Sequence, residues 1–193
     1  MLRHLIAGVF AVSCFTSWVQ ADPVQYAGNG SYFELIPFVG TWFEAEADAQ
    51  AMSYLGRTGH LATITTEEEN QFVLDNFTPQ LVDLGMFMGA GDFDEEGVWR
   101  WLTGPEAGML LSDGYTFWGS NEPVNWMGIE HYMVFDAEGG SGLPEWDDKP
   151  IDYAQHYLVE YSVPEPASVG LLAIGGFALL RGYGLRRRAH HRA

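Results

Sequence analysis

Carboxylates are the main chemical resource of this chain, with 26 Asp and Glu residues against nine Lys and Arg in 193 residues. All 26 lie between Asp22 and Glu165, an interval whose basic residues are Arg57, Arg100 and Lys149. Such a field repels a phosphate backbone, which excludes nucleic acid as a partner. Two roles remain for the carboxylates: to solvate the surface of an exported protein, or to gather in part around a hard cation. Other reactive types are sparse. The one cysteine, Cys14, falls in an N-terminal apolar run, and no serine sits in a nucleophile motif. His60, His131 and His156 show no spacing for zinc or a catalytic base and read as surface or satisfied histidines. No spacing specifies a catalytic carboxylate pair, so the sequence predicts a binding module and not an enzyme.

The two ends read as addresses. Arg3 and His4 precede an apolar run at 5–15, and Val19-Gln20-Ala21 stands before Asp22. This pattern predicts a signal peptide at 1–21, cut after Ala21. An alternative takes Ala11-Val12-Ser13-Cys14 as a lipoprotein box with a lipidated Cys14, although Ala11 stands where Leu is usual. At the other end Val163-Pro164-Glu165-Pro166 is followed by an apolar run at 167–180 and the basic stretch Arg186-Arg187-Arg188. The order of parts resembles the PEP-CTERM sorting signal of exopolysaccharide-producing Gram-negative bacteria. The resemblance implies a sorting signal over 163–193 with a transmembrane segment at about 167–185. It also implies an exosortase-like processing enzyme that cuts near Pro164, Glu165 and Pro166, after which the inner-membrane protein passes to the cell surface or extracellular matrix. A simple stop-transfer anchor that is never cut fits the same three parts.

The elements between must form one domain over 22–162, of a size that holds a single core. Gly-Asn-Gly-Ser-Tyr-Phe-Glu-Leu-Ile-Pro at 28–37 reads as a turn and a strand. Thr41 starts a helix in which Trp42, Ala45, Ala49 and Met52 recur at helical spacing, closed by Gly56 and Gly59. After a short strand at 61–64, Thr65 and Thr66 stand three residues before Glu68 and Glu69, two overlapping capping-box registers for a helix through Phe72, Val73 and Phe77. Strands are expected at 86–90, 99–102, 132–135 and 157–161, with Trp118 and Trp146 in loops. The stretch 103–130 has little periodicity, and a loop of that length inside a compact domain is usually functional. Trp99, Trp101 and Trp146 are expected in the core, and Trp118 and Trp126 to face a ligand.

Thr41-Trp42-Phe43-Glu44-Ala45, Gly59-His60-Leu61-Ala62-Thr63-Ile64, Phe87-Met88-Gly89-Ala90, Glu96-Gly97-Val98-Trp99-Arg100-Trp101, Glu122-Pro123-Val124-Asn125-Trp126 and Trp146-Asp147-Asp148 stand in an order that resembles the C-type lectin-like fold. The resemblance spans about 30–161. It implies an α+β domain of two helices with small antiparallel sheets and a long loop region, here without disulfides. It further implies a calcium ion held by Glu122, Glu130, Asp147 and Asp148, with a glycan or exopolysaccharide completing the shell. The residue before Pro123 is expected in a cis peptide bond, as in relatives. Val124 and Asp147 replace the family's two asparagines, which removes amide donors and puts the sugar in doubt; Asn121 or Asn125 is a candidate substitute. A second metal site would use Asp92 and Glu96 with Glu130, but Asn125 and His131 occupy its other positions. The competing expectation is a structural or protein-binding domain with a decayed calcium site.

Overall fold

The structure, a computed structural model, describes residues 22–78, 85–136 and 144–163. The helix α1 (Trp42–Ala51) begins where Thr41 and Glu44 cap each other's backbone. The Thr41 hydroxyl accepts from the Glu44 N–H (3.3 Å), and the Glu44 carboxylate accepts from the Thr41 N–H (2.8 Å). Its buried stripe is Trp42, Ala45 and Ala49. In α2 (Glu67–Asn76) the Thr66 register wins: its hydroxyl accepts from Glu69 N–H (3.2 Å), while the Glu69 carboxylate reaches back to Thr65 N–H (2.9 Å).

Eight strands form the main sheet. These are β1 (Val24–Gln25), β2 (Tyr32–Pro37), β5 (His60–Leu61), β6 (Met86–Gly91), β7 (Arg100–Trp101), β8 (Tyr132–Asp136), β9 (Glu145–Lys149) and β10 (His156–Tyr161). Their order is β1-β2-β10-β6-β8-β9, with β5 on β10 and β7 on β6; β10 and β6 are parallel. A separate hairpin of β3 (Ser53–Tyr54) and β4 (Arg57–Thr58) turns through Leu55 and Gly56, both at positive φ, as a tight two-residue hairpin requires.

The period of two along the strands divides the core. Phe87, Tyr132, Val134, Tyr157, Val159 and Tyr161 pack with the stripe of α1. Met86, Met88, Met133, Phe135 and Leu158 face the other way, onto Val73 and Phe77 and onto Trp99, Trp101 and Trp146. The Trp42 indole N–H donates to Met88 O (2.8 Å), and the Trp146 indole N–H to Asn70 Oδ1 (3.2 Å), so each layer is also tied by a hydrogen bond.

The two helices and the central strands lie where the sequence predicts them. One expectation is corrected: Trp146, read as a loop residue, lies in the middle of β9 and is fully buried. Three acids in Glu-Trp-Asp-Asp-Lys conceal the strand, which owes its form to a five-residue register with β8. The single cysteine leaves the chain no internal disulfide. Cys14, Ala21, Pro164, Glu165, Pro166 and the segment 167–185 lie outside the described residues. Among the described residues no helix is long and apolar enough to cross a membrane.

Gly89 sits where the sheet leaves no room for a side chain, because a Cβ there would meet Thr103 Oγ1 at 2.1 Å and the Leu61 carbonyl oxygen at 2.6 Å. Gly89→Ala is therefore expected to cost about 3 kcal/mol in urea unfolding; a loss within error of zero would show that β5 moves freely away from β6. Burial drives a second expectation. It raises Glu69 and Glu160 from the ordinary value of 4.5 to about 7 each. Glu106 adds repulsion to both, and the Thr63, Thr65, Ser162 and Asn29 donors only partly offset the shift. A raised carboxyl favours folding in its protonated form, so its contribution is full below pH 4.5 and is lost as pH rises through 7. Thermal melts are expected to show stability falling between pH 5 and 8, with Glu160→Gln flattening that fall by about 3 kcal/mol.

Candidate functional site

The outer edge of β9 is where the chemistry collects. Residues 117–119 run along it, with Trp146 N–H donating to Phe117 O (2.9 Å) and Gly119 N–H to Trp146 O (2.8 Å). The chain then turns through a cis Glu122–Pro123 bond and returns beside Asp147 and Asp148. Asp148, 1% exposed, fixes this turn: one carboxylate oxygen accepts from Val124 N–H (2.9 Å) and the other from Asn125 N–H (2.7 Å). Glu122, Asp147 and Asp148 thereby present ligand oxygens that all lie within 4.8 Å of one another. Glu122 Oε2 and Asp147 Oδ1 are buried with no hydrogen-bond partner.

Glu130 lines the same cavity of ≈ 400 Å³, together with Glu122, Val124, Trp126, Asp147, Lys149, Pro150 and Tyr153. Its carboxylate accepts from Trp126 N–H (2.7 Å). The electrostatics are those of crowded acids. Burial first, and then the Asp147 and Asp148 carboxylates, push Glu122 up to about 7, with Lys149 pulling the other way. Burial also raises Glu130 and Asp147, against the opposing pull of the Trp126 N–H and Lys149 respectively. Buried oxygens that repel one another and lack donors are what a hard cation relieves, and an all-oxygen set fits calcium in type.

Lys149 was not among the residues singled out from sequence. It is the chain's one lysine, and its ammonium lies 2.7 Å from Asp147 Oδ2. Its nearness to Asp147 in sequence was a usable signal only once 145–149 is a strand, since residues two apart then share a face.

A second acidic group joins Asp92, Glu96 and His131. The Asp92 carboxylate is engaged on both oxygens, by His131 Nδ1 (3.0 Å) and by Gly97 N–H (2.8 Å). Glu130, expected to join this group, is not among its converging ligands; its carboxylate accepts from Trp126 N–H. Asn125 bridges the two: its amide donates to Glu96 and its carbonyl accepts from Glu130 N–H (3.1 Å). Asn121 is exposed at positive φ. Trp126 is 62% exposed beside the cavity, whereas Trp118 is half-buried edge-on against Trp99 and Trp146. Of the histidines, His60 is buried between Leu61 O and Ser162 Oγ, and His156 is half-buried.

Residues 162–188 match the PEP-CTERM protein-sorting motif. The chain is 35% identical over 143 residues to Halomucin of Haloquadratum walsbyi, covering 69% of this chain and 2% of that protein. It is 32% identical to mouse C-type lectin domain family 4 member F over 51% of this chain and 16% of that protein. With Echinoidin of Heliocidaris crassispina it shares 31% identity over 62% of this chain and 80% of that one. The chain thus spans only a small part of the first two. The solved structure of the C-type lectin CEL-I from Cucumaria echinata superimposes with a TM-score of 0.56 at 22% identity, over 70% of this chain and 91% of that one.

Asp148→Ala removes the two acceptors that hold the 122–126 turn. Hydrogen exchange at the Val124 and Asn125 amides is expected to accelerate at least tenfold, with α1 unchanged; protection retained at both amides would show that the turn holds without Asp148.

Proposed function

The chain belongs to the C-type lectin-like family, and from that premise we propose an exported cell-surface or matrix protein that binds carbohydrate through a calcium ion. The observation that carries this reading is the convergence of Glu122, Asp147 and Asp148 with two buried oxygens left unpartnered. Glu122, Asp147, Asp148 and Glu130 would hold the ion, which supplies positive charge and coordination positions for paired sugar hydroxyls. Trp126, 62% exposed, borders the same cavity and offers a ring face to a sugar.

The matched sorting motif supports export with a C-terminal anchor. In this reading residues 1–21 are a signal peptide cut after Ala21, 22–162 the binding domain and 163–193 the sorting tail. An exosortase-like enzyme acts near Pro164, Glu165 and Pro166, releasing the protein from the inner membrane. An exopolysaccharide outside the cell is the natural ligand class.

A second reading, a protein-binding or structural domain, is favoured by one observation: Val124, 57% exposed at the rim, offers no polar group to a sugar. Calorimetry on the full-length chain in detergent separates the two. Calcium binding by the wild type, weakened at least tenfold in Glu122→Ala, together with glycan-array signals abolished by chelator, is the expected result. No calcium heat, or glycan binding indifferent to chelator, would leave the second reading.

A further inference from the structure

The candidate site already contains a cation. Lys149 ends β9 two residues after Asp147, on the same face of the strand, with its ammonium 2.7 Å from Asp147 Oδ2 and 5.2 Å above the Tyr153 ring. The side chain is 13% exposed, and it lines the cavity with Glu122 and Glu130. The chain has no other lysine. Asp147 is thus divided between two tasks: Oδ2 is neutralised by the ammonium, while Oδ1 stays buried without a hydrogen-bond partner in a residue that converges with Glu122 and Asp148.

We propose that Lys149 is a tethered counter-ion that opposes the entry of a divalent cation and so sets the affinity of the site. The inference rests on the calcium reading above. Without an added ion, three converging carboxylates, with Glu130 on the same cavity, are partly balanced by one ammonium that cannot diffuse away. A divalent ion bound to Asp147 Oδ1 must share that carboxylate with the ammonium and is repelled by it, at a range too short for salt to screen. The site is therefore tuned weak, in the range of extracellular calcium modules, roughly 10⁻⁴ to 10⁻³ M. Occupancy then follows external calcium, and the domain keeps its folded site when calcium is scarce.

The test is calcium calorimetry on full-length wild type, Lys149→Met and Lys149→Arg, with thermal melts in chelator. Lys149→Met keeps the stem and removes the charge: calcium affinity is expected to rise at least tenfold, with the calcium-free melting temperature lowered and the calcium-induced rise enlarged. Lys149→Arg is expected to stay within threefold of wild type. Should Lys149→Met not fold, the pair Asp147→Asn and Asp147→Asn/Lys149→Met reads the same effect without the ion pair, and the double variant should bind calcium more tightly. Unchanged or weaker affinity on loss of the lysine, with wild type binding calcium, overturns this inference alone. Absence of calcium binding in every variant overturns the calcium reading and this inference together, whereas binding by Lys149→Met and not by wild type supports both.

Discussion

The fold turns on burying carboxyl groups in an interval with few basic residues. Glu69, Asp92, Asp136, Asp147, Asp148 and Glu160 are all buried, yet three basic residues serve the whole interval from Asp22 to Glu165. Removing a carboxylate from water costs several kcal/mol unless donors replace the solvent. The chain supplies them mainly from its own backbone. Asp148 takes the amides of the 122–126 turn, Glu69 an amide before α2, Asp92 the Gly97 amide, and Glu130 the Trp126 amide. Acids are thus the fasteners of irregular segments, which is why a loop region of this length holds a defined shape without disulfides.

The same arrangement leaves buried carboxylate oxygens without donors along β9 and the turn beside it, at Glu145 as well as at the candidate site. Where Asp148 and Glu130 are satisfied by amides, Glu122 and Asp147 each keep an unmatched oxygen, and Lys149 answers only part of the deficit. The Trp146 side chain beneath them, packed edge-on to Trp101, Tyr115 and Trp118, denies this corner a compensating shift of the strand. Rigidity of the apolar layer therefore preserves the electrostatic tension above it.

The helices were legible because their signals are local: Thr41 with Glu44, Thr66 with Glu69, and apolar residues every third or fourth place. The central strands were legible from their apolar runs. The β3–β4 hairpin was missed because its turn, Leu55-Gly56, needs positive φ at a leucine, and β9 because pairing with β8 and burial of Trp146 override an acidic composition. In the site, Glu122, Asp147 and Asp148 come together across the chain, a convergence that spacing could suggest only through a family likeness. The place of Lys149, and the turning of Asn125 toward Glu96, depend on strand faces and loop torsions that no linear pattern encodes.

The strand that hands over to the tail is also the most cross-bonded in the sheet. β10 is zipped to β2 along its length and joined to β5 and β6 at its sides. A domain tethered at its C-terminal end and gripping a polymer would take any tension through β10 first. That load would run along the strand, so rows of hydrogen bonds must shear together and cannot peel one at a time. Pulled by its C-terminal end, the described domain would thus resist extension through its most extensively paired strand.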